Sequence, residues 1–136
     1  MPARPFTPAE ANSALVDVRP VAERLVALRA RMRELEHDQG ALLGAIAGNG
    51  GGYSGGDLAE ARRELASLAE AAAACVERLD ELGVVLKDAD SGLLDFVSER
   101  HGEIVLLCWR VGEDGVAFWH TPQAGFAGRR PIDWDD

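Results

Sequence analysis

The chain has 136 residues, 47% of them hydrophobic and 27% charged, a balance that suits one globular domain with its own core and excludes wholesale disorder. A formal net charge of −9 repels phosphate backbones and anionic lipid, so nucleic acid and membrane surfaces are not expected partners. The opening Met1 to Phe6 has no apolar leader, no run is long enough to span a bilayer, and Cys75 and Cys108 lack paired spacing; a cytoplasmic protein with two buried, reduced thiols is expected.

The first predicted element is a helix over residues 8–47. Thr7-Pro8-Ala9-Glu10 reads as its capping box, with proline at the first helical position. Apolar positions then step by three and four through Ala11, Ala14, Val18, Val21, Leu25, Leu28, Met32 and Leu35 to Leu42 and Ile46, a coiled-coil-like seam. Pro20 lies inside this run, and a kink is expected there.

Residues 48–56 are dominated by glycine and read as a flexible connector. A phosphate-binding loop would follow a strand and end in Gly-Lys-Ser/Thr, whereas this stretch follows a helix and ends in Gly56-Asp57-Leu58. A second helix is expected over 57–82, capped by Asp57 and stopped by Gly83. Its seam runs through Leu58, Ala61, Leu65, Leu68, Ala72, Cys75, Leu79 and Leu82.

Two such helices fold back antiparallel. Pairing outward from the connector sets Val21 beside Leu82. The first helix then overhangs the second by about 13 residues, roughly 20 Å. That stub carries Ala11, Ala14, Leu15 and Val18, which need a cover. The predicted strands after Gly83 supply it: Val84–Lys87, Leu93–Val97, Glu103–Val111 and Val116–Thr121, a four-stranded antiparallel meander over 84–121. Residues 122–136 read as an irregular tail. The fold class is therefore α+β, a long helical hairpin followed by a small antiparallel sheet in a single domain, 1–136.

Phe6-Thr7-Pro8-Ala9-Glu10-Ala11-Asn12, Gly92-Leu93-Leu94-Asp95-Phe96, Leu107-Cys108-Trp109-Arg110, Phe118-Trp119-His120 and Gly125-Phe126-Ala127-Gly128-Arg129 occur in that order. This ordered set resembles domain-of-unknown-function family 2203, small prokaryotic proteins, over nearly the whole chain. The resemblance implies no activity. Val16 stands where the family pattern has proline, Arg130 where it has glutamine, and the glycine connector is this chain's own.

Glu10, Asn12, Asp95, Cys108, Arg110, His120 and Arg129 are the polar residues that could carry chemistry, and the overhang places Glu10 and Asn12 at the sheet end of the hairpin. Asp95, Cys108, His120 and Glu10 have the right ligand types for a divalent metal such as zinc or iron. A four-residue turn at Gly112–Gly115 pairs Trp109 with Phe118 and Leu107 with His120, which puts Cys108 and His120 on opposite faces; a single bulge would reverse that parity. Asp95 shares the Cys108 face if Val97 opposes Ile104. A hydrogen-bonded structural histidine is the simpler reading of His120. A nucleophilic Cys108 has an apolar setting against it, and a Glu10–Asp95 acid–base pair competes with the capping role of Glu10. Arg129, with Arg110, is an anion-binding candidate, although pairing with one of the many acids is the plainer alternative. Trp109, Phe118 and Trp119 read as core, and His37 and His101 as solvent-facing.

Alanines along the second helix, with outward apolar positions such as Leu15, Val26 and Leu43, suggest a homodimer that joins two hairpins. The leading expectation is a helix-mediated association or regulatory module. The alternative is a metal- or small-ligand-binding protein, enzymatic or not, with its site at the sheet end.

Overall fold

The computed structural model describes residues 4–49 and 55–134. Helix α1 spans Pro8–Asn49 and α2 spans Gly55–Glu81. The strands are β1 (Val85–Asp88), β2 (Leu93–Arg100), β3 (Glu103–Arg110), β4 (Phe118–His120) and β5 (Arg130–Pro131), with a short 3-10 turn at Phe126–Gly128 before β5.

The predicted capping box closes α1. Glu10 N–H donates to Thr7 Oγ1 at 3.1 Å, and Thr7 N–H donates to Glu10 Oε1 at 2.9 Å. The helix continues through Pro20, whose ring removes the donor that the Val16 carbonyl would have used. Val16 is 77% exposed, so water can serve that carbonyl instead. Residues 50–54 of the expected connector lie outside the described residues, as do the side chains of Leu42, Leu43 and Ile46. Both helices reach farther into the glycine-rich stretch than expected, and Asp57 falls in the first turn of α2 rather than at its cap. The other end of α2 matches its expected stop. Gly83 has φ +86°, its N–H donates to the Asp80 carbonyl at 3.0 Å, and Val84 N–H donates to Leu79 at 3.3 Å. These two bonds form a Schellman cap, which needs a left-handed residue at its centre.

The helices pack as a hairpin along the predicted seams. Ala11, Val18, Leu25, Met32 and Leu35 of α1 and Ala72, Cys75 and Leu79 of α2 are buried. The expected pairing of Val21 with Leu82 is displaced, because Pro20 and Val21 share a groove with Ala71, Ala74, Cys75 and Arg78. Helix α2 therefore runs past Pro20, and the stub is shorter than equal-length pairing implied. What remains is covered as expected: Ala11, Leu15 and Val18 join one core with Phe96, Leu107, Trp109 and Trp119 of the sheet. Phe6 adds an edge-on contact to Phe96 at 5.1 Å. Leu15, expected to be half-covered on the outside, is only 4% exposed.

The sheet is an antiparallel meander in the order β1-β2-β3-β4-β5, five strands rather than four. The fifth lies in the tail expected to be irregular and pairs Phe118 with Pro131 and Trp119 with Arg130. Pro131 lacks an N–H, which an edge position tolerates, and the outgoing chain is pinned by Trp134 against Trp119 at 5.7 Å.

Two registers differ from expectation. The β2–β3 turn has two residues, His101 and Gly102, with φ of +52° and +81°, the signature of the twisted hairpin turn that fits a right-handed sheet. Val97 therefore faces Leu106 rather than Ile104, a two-residue shift that leaves every side chain on its expected face. Between β3 and β4 the shift is odd. Leu106 faces His120 and Cys108 faces Phe118, so Cys108 and His120 share a face, against the four-residue-turn expectation. The cause lies in residues 111–117, which turn at Arg110–Glu113 and then fold onto α1 instead of closing the expected four-residue turn. Asn12 takes both backbone groups of Val116, and Arg19 donates to the carbonyls of Glu113 and Asp114.

Candidate metal centre on the outer face of the sheet

Side chains alternate across a strand. On β2, Leu94, Phe96 and Ser98 face the helices; on β3, Val105, Leu107 and Trp109 do so. Asp95 and Cys108 therefore point to the other face, and the observed register adds His120 from β4. Solvent does not reach them there. The chain leaving β4 folds back across this face before returning as β5, and Pro122, Gly125 and Phe126 form the roof of a cavity of about 70 Å³. Asp95, Cys108 and His120 line its floor, together with Lys87, Leu93 and Leu106. The exposures of Asp95, Cys108 and His120 are 1%, 1% and 4%.

One ligand atom from each of the three residues lies within 4.8 Å of the others. His120 Nδ1 is 2.7 Å from the Thr121 carbonyl oxygen, an obligate acceptor, so Nδ1 carries the ring proton. In the neutral ring Nε2 is then a lone pair, and it faces Asp95 Oδ1 at 3.3 Å. A lone pair facing an ionised carboxylate repels it unless a proton or a cation lies between them. The second oxygen, Asp95 Oδ2, is buried with no hydrogen-bond partner among the described residues. Burial pushes the Asp95 carboxyl above its usual range, against the charges of His120 and Lys87. Burial likewise raises the Cys108 thiol, helped by the nearby Asp95 carboxylate and opposed by Arg129. The site is thus a buried pocket with three potential ligand atoms, where Asp95 Oδ2 lacks a protein partner among the described residues.

Arg129 closes one side. Its guanidinium pairs with Glu113 at 2.8 Å and lies 4.2 Å from the ring centre of Phe118 and 4.3 Å from that of Phe126, while its Nη1 is buried with no hydrogen-bond partner among the described residues. Arg110 stacks on Phe126 at 5.1 Å and is otherwise exposed. The two anion-binding candidates therefore flank the pocket, and Arg129 already has an acidic partner.

Glu10 and Asn12 lie elsewhere. The Glu10 carboxylate is taken up by Thr7 N–H and Arg4, and Asn12 docks Val116 on the helix-facing side. Neither belongs to the Asp95–Cys108–His120 group, because the sheet itself separates the two regions. Lys87 escaped the sequence reading. It occupies a β-bulge, where Leu86 faces Leu94 and Asp88 faces Leu93, leaving Lys87 as the extra residue on the cavity's side. His37 and His101 are exposed, as expected.

Fold and site together define a small α+β protein, a helical hairpin backed onto an antiparallel meander, whose outer sheet face buries an Asp–Cys–His cluster. The chain belongs to the family of uncharacterised conserved proteins DUF2203, whose model matches residues 4–132. No match was found among curated proteins or among solved structures. Among the described residues no helix is long and apolar enough to cross a membrane.

Proposed function

We propose that this protein binds one divalent transition-metal ion of the zinc class through Asp95, Cys108 and His120. The observation that carries the reading is the buried, partnerless Asp95 Oδ2 beside a cysteine sulfur and a histidine lone pair. A proton would satisfy only the His120–Asp95 contact. A metal ion would satisfy all three ligands at once. The Thr121 carbonyl already fixes the ring so that Nε2 faces the cluster, the backing that metal-bound histidines ordinarily have. Tetrahedral zinc with ligands at 2.0–2.3 Å spaces them about 3.3–3.8 Å apart, so the widest separation closes by roughly 1 Å on loading. Three protein ligands leave a fourth position open, the pattern of reactive rather than purely structural sites. The test is titration of untagged, metal-free protein with cobalt(II). One equivalent should bind with a thiolate-to-metal charge-transfer band that Cys108→Ser removes; absence of stoichiometric binding overturns the proposal.

A second reading keeps the homodimer expected from the helices. In its favour is the apolar groove lined by Pro20, Val21, Ala71, Ala74 and Cys75, where small side chains admit another helix. Light scattering coupled to size exclusion tests it, and a monomer at high concentration removes it.

A further inference from the structure

We infer that the open coordination position of this centre takes a small monoanion, drawn in by the ammonium group of Lys87. The inference rests on the metal reading above and adds what the site is for. A divalent ion held by one carboxylate, one thiolate and one neutral imidazole carries no net charge. The groups around it do not balance. Lys87 lines the cavity, and Arg110 and Arg129 both lie against Phe126 of its lining, with the carboxylate of Glu113 paired to Arg129 at 2.8 Å. A negative fourth ligand therefore gains from the surrounding charge, and a cationic one is repelled.

Size sets the second limit. A water molecule occupies about 10–15 Å³ of such a cavity, so about 70 Å³ leaves space for a ligand of a few heavy atoms beside the metal and none for a metabolite of ordinary size. The lining is apolar at Leu93, Leu106, Pro122 and Phe126, so charge is recognised from the side of Lys87. The position of that lysine on β1 follows from strand parity. Lys87 follows Val85, the partner of Asp95, by two residues, so strand alternation already puts it on the cavity face, and the bulge takes it out of the ladder there. Lys87 is exposed along strand β1, so its stem can swing between solvent and the pocket and carry an anion inward.

The test uses the cobalt(II)-loaded full chain, with azide and formate as probes and the visible cobalt spectrum as readout. Saturable spectral shifts are expected with either anion. Lys87→Met should weaken the apparent dissociation constant for azide by about tenfold or more, the loss of one charge-assisted contact. Lys87→Arg should restore most of the affinity. Both variants should still bind one cobalt with an unaltered charge-transfer band, because Lys87 is not a ligand. A loaded protein whose spectrum ignores both anions overturns this inference and leaves the metal reading standing. Equal azide affinity in Lys87→Met overturns the role of Lys87. Failure to load cobalt overturns the underlying reading instead, so the two failures are distinguishable.

Discussion

Asn12 and Val116 pair as two strands would: Asn12 Nδ2 donates to the Val116 carbonyl at 3.1 Å, and Asn12 Oδ1 accepts from the Val116 N–H at 2.9 Å. A single side chain thus occupies both backbone groups of a residue 104 positions away. Because Val116 is engaged with α1, it does not pair with Val111, and β4 starts at Phe118. The odd shift this imposes turns His120 toward Asp95 and Cys108. A helix residue on one side of the sheet therefore sets the composition of the site on the other.

Replacing Asn12 by alanine leaves both Val116 groups without their partner, and a loss of about 2 kcal/mol of stability is expected. Urea unfolding measures it. Cobalt affinity should fall in the same variant more than in a core mutant of equal stability, since only Asn12→Ala releases the β3–β4 register. Equal affinities at matched stability would break the link between the two faces.

Asp95 is expected to cost the metal-free protein stability at neutral pH. Its folded pKa is raised by burial, so the folded state holds its proton more tightly than the unfolded chain does. The penalty is absent below the unfolded carboxylate range, where both states are protonated, and develops as pH rises through it. Asp95→Asn should therefore raise the melting temperature of metal-free protein at pH 7 and leave it nearly unchanged near pH 3. Loaded with metal, the order should reverse. Differential scanning calorimetry over that range, with and without zinc, checks both signs.

Glu10 should behave oppositely. Its carboxyl is held below the ordinary range, first by the Thr7 N–H and with help from Arg4. Its contribution to the helix start is present above the unfolded pKa and is lost as pH falls through the lowered folded value. The stability difference between wild type and Glu10→Ala should thus be largest at neutral pH and shrink in acid. Thermal melts at pH 7 and pH 3 compare them, and a gap that grows in acid contradicts the capping assignment.

Two glycines predict opposite outcomes. Gly92 has φ +70°, and a Cβ there would sit 2.4 Å from Val111 Cγ2 and 2.9 Å from Val26 Cγ2. Gly92→Ala combines backbone strain with a clash, and a loss of at least about 2 kcal/mol is expected. Gly40 lies within α1, and a Cβ added there would meet nothing within 4 Å. Gly40→Ala should stabilise the protein by about 0.5–1 kcal/mol through helix propensity alone. Denaturant midpoints for both variants provide the check.

Local chemistry made most of the frame readable in the amino-acid order. The capping box at Thr7 and Glu10, the three-four spacing from Ala11 to Leu35 and the stop at Gly83 are short-range rules, and the structure follows each. Asp95 falls on the Cys108 face because a shift of two residues cannot change parity. What escaped were the features set by distant partners. Strand β5 was hidden because Arg130-Pro131 has no strand pattern of its own and exists through pairing with β4 and the seat that Trp134 finds on Trp119. Lys87 lines a cavity only because Pro122, Gly125 and Phe126 return across its face, and no local pattern marks that return.

The chain's own order determined two helices, their faces, the hairpin and a covering meander, since helix and strand periodicities are properties of neighbours in sequence. It also supplied the ligand types. Whether those ligands meet was decided by tertiary structure: one odd shift between β3 and β4, set by Asn12 from across the core, put Cys108 and His120 on the same side, and the returning tail buried them. Parity in a sheet is all or nothing, and the contact that chose it joins residues too far apart in sequence for spacing to reveal.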